Sequence, residues 1–352
     1  MIWKSKFVES FEDFKKLEIF FKKNYSDIYN FRLSADYLFE KIHGNGAFLV
    51  AIDNNSNVLG TISLTFKEAL IDKNKNLIAE IGDSYVPISN QRKFKNIDYL
   101  YGENKFINNS IFGRLVHEIV EYSKQRKIKF IYGTANNQSY RGYTKNLNFS
   151  DFEDLNLYSY ILPDKKILEA KTNNFFAIIF YKFFDLYLKI ISKFFYNNIF
   201  VQEEKNPQKE IIESLWLEHQ KKYDFTLKKN FDYFKKKYFN KVDRKFNYYF
   251  VYKKKKIIAF FVLDLNLDKN KVFLIDNLFT KLINPKIEMI LISKFYLEIK
   301  KSIIFWSKEF GLFKKILNIH KTKKINVILR KNENIELKFL KKDFSLSYSD
   351  NY

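Results

Sequence analysis

The stretch from Phe130 to Phe149, FIYGTANNQSYRGYTKNLNF, constrains this chain more than any other. An apolar run with strand character stops at Asn136, a residue whose side chain can accept the first backbone N–H groups of a helix. The short helix that follows is expected to carry Ser139, Tyr143 and Phe149. Asn148 stands just before Phe149, and Asn is one of the few residues that accept the left-handed backbone of a tight exit.

A second informative stretch lies upstream, AEIGDSYVPISNQRKFK, Ala79 to Lys95. It reads as a strand that ends near Val86-Pro87 and passes into a polar loop. Residues 96 to 109 read as an insertion, after which SIFGRLVHEIVEYSKQRKIKF has the spacing of an amphipathic helix followed by a strand, with Ser110 as its N-cap.

Together these stretches resemble the GNAT superfamily of N-acyltransferases. That superfamily commonly shows an Asn, a small residue three on, a Tyr four further, then a Gly-Phe pair; here stand Asn136, Ser139, Tyr143 and, one residue late, Asn148-Phe149. Val86, Gln91 and Arg92 match the start of its pyrophosphate loop, whereas the closely spaced glycines that normally follow are absent. The match covers about residues 40 to 162 with specific motifs and the rest by pattern, and is nearest to tandem-domain bacterial members that are distantly Fem-like.

The resemblance implies an acyl-CoA donor, acetyl-CoA by preference, and a small amine acceptor. It implies that Val86, Gln91, Arg92, Ser110, Asn136 and Ser139 contact the cofactor, and that the Val86 N–H meets the developing oxyanion. An amine of pKa ~10.4 is neutral in about one molecule in 10³ at pH 7, so a carboxylate is useful as base; Glu80 and Asp83 are the candidates, Asp83 alternatively fixing the loop. Tyr143 would protonate the departing thiolate. Members of this kind often serve surface polysaccharide assembly, which implies an amino sugar on a nucleotide or lipid carrier. Plainer readings stand beside these: Tyr143 as a packing residue, Asn136 as a helix starter, Ser139 as a surface serine, Glu80 as a solvent-facing strand residue, Arg92 as an exposed cation.

The remaining chain repeats the α/β plan. The expected architecture is two GNAT-like domains, each a mixed, mostly antiparallel sheet flanked by helices: residues 1–163 catalytic, 164–206 an amphipathic helical connector, 207–352 a second domain that shapes the acceptor site or serves structure. In the first, helices near 10–24 and 34–42 precede a hairpin, AFLVAID with VLGTISLTF. In the second, IIESLWLEHQKKYDF reads as a helix, NYYFVYKKKKIIAFFVLDL as a hairpin, KVFLIDNLFT and SIIFWSKEF as strands, and IEMILISKFYLEIKK as a helix.

Charge is uneven. Of the formal +22, residues 1–163 hold 22 Lys or Arg against 19 Asp or Glu, and residues 164–352 hold 40 against 21. The excess is mostly Lys, without an Arg cluster, a Gly-aromatic RNA-binding signature or a zinc knuckle, so no specific nucleic acid is expected; an anionic membrane surface or acidic substrate remains open beside an AT-rich codon bias. In the connector, Lys182, Asp185, Lys189 and Lys193 share one narrow helical face while apolar residues cover the rest, the pattern of an interfacial helix or of a packed linker. Absence of Cys excludes thiol chemistry and disulfides, and the four His, scattered as isolated surface or packing residues, predict no metal site. The start is unlike a signal peptide, so a cytoplasmic protein is expected, at most peripheral at the inner membrane. Two other classes stay open, a non-catalytic GNAT-fold scaffold and a Fem-like aminoacyl transferase at the membrane surface.

Overall fold

The computed structural model describes residues 3–26, 33–91, 105–152, 157–162, 199–239, 246–268, 271–280, 302–308 and 321–332, with 179, 182, 183, 186, 190 and 343 described singly. The chain opens with β1 (Trp3–Phe7), then α1 (Phe11–Asn24) and α2 (Ala35–Ile42). Both helices begin where Ser10 and Ser34 accept a backbone N–H through their hydroxyls. Phe14, Leu17 and Phe21 recur at helical spacing and bury one face of α1 against Phe48, Val50 and Ile52.

The last three belong to β2 (Gly46–Asp53), which forms an antiparallel meander with β3 (Val58–Ile71) and β4 (Asn74–Tyr85). Short helices α3 (Ile88–Gln91) and α4 (Lys105–Asn109) precede α5 (Ile111–Gln125), β5 (Phe130–Ala135) and α6 (Asn137–Asn146). Helix α5 packs Leu115, Val116, Ile119 and Val120 on the sheet face opposite α1 and α2, because Leu49, Ile62, Leu64 and Ile81 alternate onto that side.

The rest comprises β6 (Ser150–Asp151), β7 (Leu157–Leu162), β8 (Ile199–Glu204), α7 (Lys209–Gln220), β9 (Phe225–Leu227), α8 (Phe231–Phe234) running into a π turn at Lys235–Phe239, the hairpin β10 (Phe246–Lys253) and β11 (Lys256–Asp268), then β12 (Lys271–Phe279), β13 (Ser302–Lys308) and β14 (Lys321–Lys331). Among the described residues the strands form one sheet ordered β1-β2-β3-β4-β5-β14-β7-β13-β12-β11-β10-β8. The halves exchange strands. β7 pairs with β13, while β14 pairs with β7 through Lys321–Ile325 and with β5 through Asn326–Lys331. One hydrophobic cluster accordingly joins Ile78, Phe130 and Tyr132 to Trp216, Phe225, Phe260 and Val327.

Two expectations shift. Helix α6 ends at Asn146, so Phe149 lies beyond it; the Phe149 N–H returns to the Tyr143 carbonyl while Asn148 takes φ 56°. Helix α7 ends at Gln220, and Phe225 leaves it for β9, which pairs with Ala69–Ile71 of β3. Burying the Phe225 ring beside Phe130 and Phe152 outweighs a further helical turn. The expected helix in 287–301, Arg92, most of the connector and residues 96–104 lie outside the described residues; the end of the insertion forms α4.

Candidate functional site

Strands β4 and β5 pair in parallel only at Ala79 with Ile131 and at Glu80 with Tyr132, yet β4 continues to Tyr85 and β5 to Ala135. Gly133 marks the crotch of this parting: a Cβ there would lie 3.0 Å from the Ile81 carbonyl oxygen and 2.7 Å from its Cγ2. Only glycine lets the two backbones approach so closely before they separate.

Past the crotch β4 carries a bulge. The register with β3 jumps from Ser63–Gly82 to Thr61–Tyr85, and Asp83 takes φ 46°. A non-glycine residue there costs about 1–2 kcal/mol. Charge-assisted bonds offset that cost: Asp83 Oδ2 lies 2.7 Å from Lys41 Nζ and accepts the Ser63 hydroxyl at 2.6 Å, and the Asp83 carbonyl accepts the Thr61 hydroxyl at 2.8 Å. Both Lys41 and Asp83 are buried.

Glu80 points to the same sheet face as Asp83. Its Oε2 lies 2.5 Å from Lys67 Nζ, itself 5.8 Å from the centre of the Tyr132 ring, and both partners are almost inaccessible. Thr61, Ser63, Thr65, Glu80 and Asp83 thus form a buried polar stripe across β3 and β4. Three of those five, with Lys67, show as polar positions in TISLTFK, and the alternation Thr61, Ser63, Thr65, Lys67 is the sequence signal for these four residues.

The bulge breaks the two-residue alternation along β4 and turns Ser84 to the face opposite Glu80. There Tyr143, on α6, donates its hydroxyl to Ser84 Oγ at 3.3 Å. The Tyr143 ring is held edge-on by Phe112 at 5.0 Å and Phe149 at 4.9 Å, and burial pushes its pKa well above that of an ordinary phenol. Tyr143 therefore remains protonated, a hydrogen-bond donor beside the parting of β4 and β5.

The other sequence candidates flank this point. Asn136 Oδ1 accepts the Gln138 and Ser139 N–H groups at 3.0 and 2.8 Å and the Ser139 hydroxyl at 3.0 Å, so it caps α6 and ties Ser139 to itself. Ser110 caps α5 through the Gly113 N–H at 3.1 Å. Val86 follows β4 and packs against the α5 face, and Gln91 ends α3. The structure thus places Glu80 and Asp83 on one face of β4, and Val86 and Tyr143 on the other. Among the described residues no group of His, Asp and Glu could hold a metal ion.

A different charged cluster lies wholly buried in the second half. Lys229 Nζ bridges Asp276 Oδ1 at 2.9 Å and Asp343 Oδ2 at 2.7 Å, the latter also accepting His219 Nε2–H at 3.1 Å. His219 Nδ1 accepts the Phe279 N–H at 2.9 Å, which fixes the neutral tautomer. Tyr233 and Tyr238 donate to Asp276. This cluster is a packing device, in keeping with His219 as a packing histidine.

No family model and no curated protein matches the sequence. Solved structures do. A conserved protein from Enterococcus faecalis described as a probable N-acyltransferase superposes with a TM-score of 0.58 at 11% identity, covering 95% of this chain and 73% of its own. N-myristoyltransferase from Saccharomyces cerevisiae, solved with myristoyl-CoA, gives 0.57 at 11% over 95% and 84%. A GCN5-related N-acetyltransferase from Anabaena variabilis gives 0.57 at 12% over 94% and 73%. The chain has the GNAT fold. Within that fold, the β4 bulge, the parting at Gly133 and the Tyr-bearing α6 are continuous features of one wall. The second half carries the same arrangement: β12 bulges at Ile275 against β11 and pairs in parallel with β13 only through Lys271–Phe273.

Proposed function

We propose that the protein is an acyl-CoA-dependent N-acyltransferase acting on a small polar amine. The observation that carries this reading is the parting of β4 and β5 past Gly133 with the buried Tyr143 hydroxyl beside it. Backbone groups freed from a ladder offer a pantetheine arm an extended hydrogen-bonding edge. The proposed place for the pyrophosphate is the α5 N-terminus, capped by Ser110, where it would meet a positive helix end.

In the proposed reaction the acceptor nitrogen attacks the thioester carbon, the C–N bond forms and the C–S bond breaks. Negative charge passes through the carbonyl oxygen, facing N–H groups of the Tyr85–Val86 segment, to the sulfur. Tyr143 donates a hydrogen bond to the sulfur as charge builds, and the thiol gains the proton that the amine gives up. Glu80 is the proposed proton acceptor, through water, and has to share its carboxylate with Lys67. Asp83 is assigned to holding the bulge, because its carboxylate is committed to Lys41 and Ser63.

The finer reading is acetyl-CoA as donor and an amino sugar, carrier-linked in surface polysaccharide assembly at the cytoplasmic side, as acceptor. It rests on the resemblance, and the buried polar stripe beside β4 supports a polar acceptor. Calorimetric titration with acetyl-CoA and with myristoyl-CoA, beside an Arg92→Glu variant, tests the donor. Saturable binding weakened by the charge reversal supports the reading, and no binding of either donor at ~1 mM sinks it. A second reading, a non-catalytic scaffold on the GNAT fold, is favoured by the ion pairs that occupy both Glu80 and Asp83; it predicts no turnover even where a donor binds.

A further inference from the structure

The second half carries a surface corner that the acyl-transfer reading does not use. At the tip of the β10–β11 hairpin four consecutive lysines, Lys253 to Lys256, are exposed. Lys254 and Lys255 take φ 47° and 66°, the two left-handed positions of a turn for which Asn-Gly is the usual choice. Conformation alone does not select lysine there.

Beside the tip runs β8, the last strand of the sheet, with Lys253 opposite Ile199 and Tyr252 opposite Phe200. Phe200 is 49% exposed and lies flat on Tyr252, their ring centres 4.6 Å apart at an interplanar angle of 1°. The acids of β8, Glu203 and Glu204, pair with Tyr249 and Tyr248, away from the tip. Elsewhere, in the sequence before β8, Phe183, Leu186 and Ile190 are helical, fall on one face by their spacing, and are 66%, 51% and 46% exposed. No helix among the described residues is long and apolar enough to cross a bilayer.

We propose that this corner docks the protein on an anionic phospholipid surface. The lysine tip meets headgroups, while the exposed Phe200 beside it enters the boundary of the acyl chains. The chemistry favours lipid over nucleic acid. An exposed ring such as Phe200 gains from the boundary of the acyl chains, and the exposed Phe183, Leu186 and Ile190 gain nothing from a phosphate backbone. The inference is independent of the acyl-transfer reading.

Co-sedimentation with vesicles tests it, using phosphatidylcholine mixed with phosphatidylglycerol against phosphatidylcholine alone. Wild-type protein is expected in the pellet only with the anionic vesicles, and released as salt rises from ~0.1 to ~0.5 M. The double variant Lys254→Asn, Lys255→Gly suits the turn and removes two charges, so it should keep its melting temperature while partitioning falls about 25-fold. Phe200→Ser should weaken partitioning with the salt dependence intact. Failure of the wild type to sediment, equal binding to neutral vesicles, wild-type partitioning by both variants, or displacement from the vesicles by stoichiometric duplex DNA or tRNA would each overturn the proposal.

Discussion

Tyr143 is fixed by its neighbours more tightly than its own chemistry requires, since Phe112 and Phe149 hold the ring and leave only the hydroxyl at the β4 edge. Tyr143→Phe removes that oxygen alone. Steady-state kinetics on the variant are expected to show kcat reduced roughly 10²-fold with little change in KM for the donor; an unchanged kcat would reduce Tyr143 to packing. The buried cluster of the second half gives two further outcomes. Lys229→Met leaves Asp276 and Asp343 without their cation and should cost about 3–5 kcal/mol in denaturant titration. Burial lowers the pKa of His219, so below the unfolded value of ~6.5 the unfolded chain takes up a proton that the folded chain refuses, and stability falls with acid. Burial alone would raise the pKa of Asp343, but Lys229 and His219 outweigh it and hold the carboxyl well below its usual range, extending the loss as pH falls below ~4. The melting temperature should therefore drop between pH ~7.5 and ~5.5, and His219→Leu, though less stable, should flatten that slope.

At the scale of elements the β4 bulge is the decisive local structure. Its left-handed residue is Asp83, and the conformation and the ion pair to Lys41 can be separated by substitution. Asp83→Gly keeps the backbone accessible and removes the carboxylate, whereas Asp83→Val loses both. Donor binding by calorimetry should weaken modestly in the first and by at least ~10-fold in the second. Equal loss in both would show that the ion pair, not the turn, shapes the edge. Much of this region was legible in the sequence. The strand into Asn136, the caps at Ser110 and Asn136 and the left-handed Asn148 all follow from side-chain geometry within a few residues. The bulge was not, because an extra residue in a ladder depends on the partner strand. Lys41 was missed because it reaches its carboxylate from α2, at a separation that no local pattern encodes.

At the scale of the whole molecule the two α/β halves pair strands with one another. The repeated α/β plan could be read from hydrophobic periodicity, but the exchange of β7 and β14 could not, since strand pairing between elements roughly 140 to 200 residues apart leaves no periodic trace. An isolated 1–163 fragment would leave β5 with an open edge and strip Phe130 and Tyr132 of Phe225, Trp216 and Val327. Expressed alone, it is expected to aggregate or bind a hydrophobic dye strongly; a soluble, cooperatively melting fragment would show that the first sheet does not need its late partner.

The position of β14 also sets a schedule. Phe130–Ala135 leaves the ribosome well before Asn326–Lys331, the strand that covers its edge. At ~5–20 residues per second the interval is roughly 10–40 s. Throughout that time the nascent first half presents an uncapped strand beside the parting of β4 and β5, so synthesis, rather than the finished fold, is the stage at which this edge is open to wrong partners.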